Sequence, residues 1–317
     1  MVKKTGAAGK LMLVLALCFA LCGTTLILPI RAFAGEISNG ILTLAVQDDP
    51  QDAAYAAFML KKANEESTLT YAQFYSSYTT VSINGVCYRF GEGEVVKAAY
   101  LTENNEVVAV QCFDGVQITQ TLKLTTGNSS REDMLQIAYS AENQTEQKIL
   151  LSVRVLIDPT IAKSETDAVQ INGTPCNTEK TFSGAEVADN WCIKSASGEI
   201  LAYGIVKSET GKPDKMMVAN WDKLYDHKTG CQTDADAAVE DNAVALVWEN
   251  KQLSADETMD LSTKYGLYSE DPAEEPDDED NPQTGDLLHT TVPVILFVLS
   301  GLCLVAFVAI NWKRRGN

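Results

Sequence analysis

EVVAVQCFDGVQITQTLKLTT, residues 106–126, decides the fold. From Val116 to Leu124 apolar and polar residues alternate with a period of two, the mark of a half-buried strand. Asp114-Gly115 just ahead is the dipeptide of a tight hairpin turn. The same grammar recurs in TTVSINGVCYRFG (79–91), around Asn84-Gly85. MLQIAYSAENQTEQKILLSVRVLIDP (134–159) offers two more strands around a polar middle. EILAYGIV (199–206), KMMVANW (215–221), NAVALVW (242–248) and ETMDLSTKYGL (257–267) continue the series. Short strands this frequent predict a mainly β chain, an antiparallel β-sandwich over residues 35–268. PQDAAYAAFMLKKANE (50–65) is the main expected helix.

The ends read differently. MVKKTGAAGK carries three lysines and no acid, LMLVLALCFALCGTTLILPI (11–30) is apolar, and RAFAG follows. A basic head, an apolar middle and an A-x-A end describe a secretory signal peptide, residues 1–34, cut between Ala34 and Gly35. Val292 to Trp312 runs 21 residues without a charge. At about 1.5 Å per residue such a helix reaches the roughly 30 Å of a hydrocarbon core, so a C-terminal transmembrane helix is expected over 292–312. The basic tail 313–317, led by Lys313, Arg314 and Arg315, sets the C-terminus on the cytoplasmic side.

NPQTG, residues 281–285, stands before that span. A short polar motif, an apolar span and a basic tail, in this order over 281–317, resemble a sortase cell-wall sorting signal of Gram-positive bacteria. The resemblance implies that a sortase transpeptidase attacks the carbonyl of Thr284, that Gly285 onward leaves, and that peptidoglycan takes the acyl group. Asn281 stands where the better-known motif has leucine. Pro282 fixes φ and biases Asn281 toward an extended conformation, Gln283 follows, and Gly285 allows close approach to the scissile bond. The expected product is a secreted, wall-anchored surface protein, in the membrane only through its C-terminal helix before sorting.

Charge and cysteines bound the rest. Residues 35–268 hold 34 acids against 18 bases, within a chain of net charge −18. The segment 269–280 adds eight acids and no base, an acidic disordered linker. Such charge disfavours nucleic acid as a partner. Cys87, Cys112, Cys176, Cys192 and Cys231 remain in the exported part, an odd number without a C-x-x-C spacing, so their disulfide pairing is open and a zinc site is unsupported. His227 is the lone histidine of this part.

ISNGILTLAV, YTTVSINGVCYRFG, VRVLIDPTI, VADNW, VANWDKLYD and DNAVALVWENKQLSADET, in this order, resemble an uncharacterised extracellular β domain of bacterial surface proteins. The resemblance implies one sandwich and secretion, and transfers no catalytic residue. Trp191 and Trp221 are candidate sugar-stacking platforms, whereas Trp248 reads as a core residue. Asp234, Asp236, Glu240 and Asp241 supply hard oxygens for calcium, without the D-x-D-x-D-G loop. No metal or cofactor is otherwise expected. The reading is a wall-anchored, non-enzymatic binding or structural module for a glycan or protein ligand. The alternatives are a carbohydrate-active enzyme using an acidic pair and a pilin-like subunit.

Overall fold

Two-residue turns with both residues at positive φ match the twist of the strands they join. Asn84 and Gly85 stand at φ 51° and 87°, and Asp114 and Gly115 at 48° and 78°. They close the expected hairpins, β4 (Tyr78–Ile83) with β5 (Val86–Arg89) and β7 (Glu106–Phe113) with β8 (Val116–Thr125). The computed structural model describes residues 35–65, 67–161, 168–195, 197–225 and 232–270, all within the unit Met1–Asp271.

Every paired strand among them is antiparallel. The larger sheet has nine strands, in the order β12 (Thr174–Pro175), β11 (Val169–Ile171), β14 (Asn190–Lys194), β15 (Ile200–Ile205), β18 (Thr258–Gly266), β9 (Met134–Asn143), β8, β7, β6 (Glu94–Leu101). The second has six, in the order β13 (Lys180–Ser183), β16 (Lys215–Asn220), β17 (Asn242–Leu253), β10 (Ile149–Ile157), β4, β5. A small sheet of β1 (Glu36–Ser38), β2 (Leu42–Val46) and β3 (Phe58–Lys62) completes the fold.

Inner faces of the two large sheets share one core. Val116, Ile118, Leu122 and Leu124 alternate inward from β8, and Val153, Val155, Leu246 and Trp248 come from the six-stranded sheet. Trp248 is therefore a core residue, as its apolar run implies. Gln120 breaks the apolar face of β8 yet stays buried, because its amide donates to the Ala56 carbonyl at 2.8 Å and its oxygen accepts from Tyr139 at 3.3 Å. A buried polar group is tolerated when its bonds are made.

Tyr139 and Tyr265 make stability sensitive to alkali. Burial pushes both phenols above the ordinary 10.0, and Thr79 opposes this in part at Tyr139 while Asp158 adds to it at Tyr265. Below pH 10 the phenols are protonated folded or unfolded, and their contribution is complete. Above it the unfolded chain ionises first, so each costs about 1.4 kcal/mol per pH unit. Thermal melts should fall steeply from pH 10 upward, with Tyr139→Phe lowering the slope by roughly half. An unchanged melting temperature through pH 11 would contradict the burial of these hydroxyls.

Residues 50–65 correct the helical expectation. Asp49 and Asp52 side chains accept from the amides of Gln51 and Ala54 at 2.9 and 2.7 Å, holding turns instead. Ala56 sits at φ 62°, outside helical space. Phe58 and Leu60 then alternate inward on β3, opposite Val46 and Leu44. Pairing and burial outweigh the helix preference of Ala, Lys and Glu, which is a weak bias. Among the described residues the α-helix is α1 (Trp221–Tyr225). Among the described residues no helix is long and apolar enough to cross a membrane; the expected span 292–312 lies outside them.

Candidate ligand-binding groove

The outer face of the six-stranded sheet is apolar at one end and polar at the other. Tyr78, Leu156, Met217, Ala219 and Ala245 are buried beneath Leu224 of α1, with Phe74, Trp221 and Tyr225 packed around them. Among the described residues the same face is open beyond this cap. Strand periodicity makes it so: in LLSVRVLI the inward valines of β10 alternate with Ser152 and Arg154, which face out. Register then aligns Ser152 with Ser82, Arg154 with Thr80 and Val247, and Lys215 with Val247.

A groove of about 390 Å³ results. Thr80, Ser82, Ser152 and Thr181 bring hydroxyls, Gln232 and Asn250 bring amides, and Met217 and Val247 bring apolar surface. Arg154, Lys215 and Glu249 bring charge. Arg154 is only 6% exposed. Its Nη2 donates to Thr80 Oγ1 at 2.9 Å and to Tyr78 Oη at 3.3 Å, and its guanidinium carbon lies 5.8 Å from the Tyr78 ring centre. The guanidinium is thus held in one orientation before any ligand arrives.

Glu249 is placed by a β-bulge. Leu151 pairs with Lys251 and Val153 with Trp248, so Glu249 and Asn250 together oppose Ser152. Asn250 takes φ 51° and its amide donates to Ser152 Oγ at 2.9 Å. The Glu249 amide donates to Asp214 Oδ2 at 2.7 Å. Its carboxylate pairs with Lys215 Nζ at 2.7 Å, both side chains being 38% exposed. Bulges that re-aim a side chain are concentrated beside functional sites. The groove therefore offers donors, acceptors, a fixed cation, one carboxylate and a small apolar floor, which suits a polyhydroxylated ligand of modest size.

The residues singled out from sequence lie elsewhere. Trp191 is 1% exposed and stacks on Tyr265 at 5.3 Å between ring centres, so it is a core residue rather than a sugar platform. Trp221 is half-buried. Its Nε1 donates to the Ser76 carbonyl at 3.0 Å, and its ring borders a separate cavity of about 180 Å³ with Tyr75, Asp158 and Asp241. The calcium candidates do not converge: among the described residues no three His, Cys, Asp or Glu side chains could share a metal ion. Asp234 accepts from the Asp236 amide at 3.0 Å, while Glu240 and Asp241 donate their amides to Asn220 Oδ1 at 2.8 and 3.0 Å. These acids serve a pinned loop.

Cys87, Cys112, Cys176 and Cys192 are free thiols, and burial pushes those of Cys176 and Cys192 up, against Lys180 and Lys194 respectively. Cys87 stands in the groove wall. Gly35 accepts from the Val46 amide at 2.7 Å. Ala34, His227, Cys231, and Asn281 to Gly285 lie outside the described residues.

Sequence reading missed Arg154, Lys215 and Glu249. The signal was present: a charge at an outward position of an otherwise apolar strand, as in SVRVLI and LVWEN.

No family model matches this chain, and no curated protein does. Solved structures do. A galactose mutarotase related enzyme from Lactobacillus acidophilus is 8% identical with a TM-score of 0.45, over 74% of this chain and 97% of that one. A galactose mutarotase-like protein from Lactobacillus casei is 10% identical with a TM-score of 0.45, over 74% and 99%. An aldose epimerase homologue from C. elegans is 12% identical with a TM-score of 0.41, over 74% and 98%. This chain is thus similar to these proteins over about three quarters of its length, at identities no higher than 12%.

Proposed function

We propose that this chain is a surface-displayed carbohydrate-recognition module whose ligand lies in the groove of Ser152, Arg154, Val247 and Glu249. The observation that supports this is the half of the sheet face that no described residue caps, where hydroxyls, amides and a pre-oriented guanidinium surround a small apolar floor. Sugars ask for that combination, since each ring carries hydroxyls on its edges and C–H on its faces. Arg154 donates to ring or hydroxyl oxygens, Asn250 and Ser152 exchange hydrogen bonds with hydroxyls, and Val247 meets a C–H face. A screen of the purified full-length chain in detergent micelles against neutral and acidic oligosaccharides tests it, with Val247→Trp as the blocked control.

A second reading, a sugar-active enzyme, has its own observation. Glu249 is a half-exposed carboxylate held in the groove by Lys215, in reach of a ligand proton. It is the one carboxylate among the described lining residues, so the arrangement favours single-base proton transfer over hydrolysis by an acidic pair. Turnover in the same screen, lost in Glu249→Gln with binding retained, would establish it.

For delivery we propose export, then sortase anchoring to peptidoglycan through Thr284. The support is the order of motif, apolar span and basic tail over 281–317. Wall fragments released by a muramidase should carry a chain ending at Thr284 and joined to a cross-bridge amine. Recovery of most molecules with residues 313–317 attached would refute anchoring and leave the groove untouched.

A further inference from the structure

The loop between β8 and β9 carries a buried acid that its surroundings leave unanswered. Asp133 is 1% exposed, and neither of its carboxylate oxygens finds a hydrogen-bond partner among the described residues. Lys264 sends its ammonium to the Thr126 carbonyl, at 2.9 Å, and not to this carboxylate. A charge taken out of water is paired or metal-bound in folded proteins, because leaving it alone costs more than one hydrogen bond returns. A bound cation would answer both oxygens at once.

The loop around Asp133 is closed and fastened. A Cβ at Gly127 would stand 3.7 Å from Asp133 Oδ1, so the loop returns on itself, and the glycine puts no side chain into that gap. Asn39 Nδ2 donates to the Glu132 carbonyl at 2.6 Å, and the Leu267 amide donates to the Asp133 carbonyl at 2.9 Å. Within the loop the Asp133 amide donates to the Arg131 carbonyl at 2.9 Å, and the Arg131 amide to Ser129 Oγ at 3.2 Å. What remains unused is oxygen. The carbonyls of Gly127, Asn128 and Ser129 accept no hydrogen bond from any described residue. The buried Ser129 hydroxyl keeps a second lone pair. Residues 126–133 contain no histidine or cysteine.

We propose that this loop binds a calcium ion through the Asp133 carboxylate and neutral oxygens of residues 127–129. An all-oxygen set selects a hard cation over zinc or copper. Magnesium asks for a near-ideal octahedron and keeps its waters, whereas calcium accepts carbonyls in irregular geometry. The site needs a single acidic side chain, unlike the three-ligand clusters excluded above. Charge count sets calcium affinity, so one carboxylate gives a Kd on the order of 0.1 to 1 mM, the range of extracellular modules. The ion fastens the turn after β8 to the end of β18, since Leu267 is bonded to Asp133. The site shares no residue with the saccharide groove and is independent of it.

The test is a thermal melt of the full-length chain in detergent micelles, stripped with EGTA and titrated with calcium chloride. The melting temperature should rise by several degrees between about 0.1 and 10 mM calcium, and by less than half as much with magnesium. Asp133→Asn keeps the shape and removes the charge. It should melt at or above the wild-type temperature in EGTA and gain nothing from calcium, a pattern that loss of structure cannot mimic. No rise in the wild-type protein overturns the proposal, and so does an equal rise with magnesium. A full calcium response in Asp133→Asn overturns it by placing the ion elsewhere. A variant that melts below the metal-free wild type also overturns it, by showing that the chain itself answers the carboxylate.

Discussion

Gly204→Ala should be among the most damaging single-methyl changes, costing roughly 3 kcal/mol. Gly204 lies between Trp191 and Tyr265 in register, opposite Trp191 on β14 and opposite Tyr265 on β18. The two rings stack over it, 5.3 Å apart between centres and 13° from parallel. A Cβ at 204 would fall inside the Trp191 indole, against Nε1 and Cε2. The indole is 1% exposed and has no free space to retreat into, so either the stack opens or the strands part. For a domain of this size, roughly 3 kcal/mol is a fall of about 6 to 12 °C in melting temperature. Gly173→Ala provides the contrast. Its φ is positive, 76°, unlike that of Gly204, but a Cβ there meets nothing within 4 Å, so its cost is backbone strain of about 1 kcal/mol. Equal melting temperatures for the two variants would show that the Trp191–Tyr265 stack is not as described.

Val247→Trp should lower saccharide affinity at least about 100-fold, or about 2.7 kcal/mol, at little cost in stability. Val247 lies on the groove floor between Arg154 and Lys215. An indole there occupies the space of a sugar ring and covers the Arg154 guanidinium. Its neighbour Trp248 points the other way into the core, so the added bulk enters the groove and leaves the sandwich packing alone. A surface-facing change of this kind costs about 0.5 kcal/mol or less. Unaltered binding in a folded Val247→Trp protein would move the site elsewhere.

Strands and turns were legible in the sequence because their causes are local. Asn84-Gly85 and Asp114-Gly115 need positive φ wherever they occur, and VQITQTLKL alternates whatever it packs against. The destination of a strand is not local. Residues 141–147 look like a hairpin loop, yet β9 joins the nine-stranded sheet and β10 the six-stranded one. Asn143 makes that corner, its Nδ2 donating to the carbonyls of Gln147 at 2.7 Å and Ser254 at 2.9 Å. The partner at Ser254 is 111 residues away in sequence. The turn at 50–56 was hidden for the same reason, since the pairing of Phe58 with Val46 overrides a helix-like composition. The site was less legible still. Tryptophan drew attention as a sugar platform, but whether a ring is exposed depends on what lies across the sheet, and Trp191 has Tyr265 there. Arg154 and Glu249 gain meaning only once register sets them side by side.

The most direct measurement is the structure of the full-length protein with a bound oligosaccharide. The account predicts a sugar ring over Val247 and a hydroxyl bonded to Ser152 or Asn250. A saccharide seated instead against Tyr75 and Trp221, with the groove empty at saturating ligand, would contradict it.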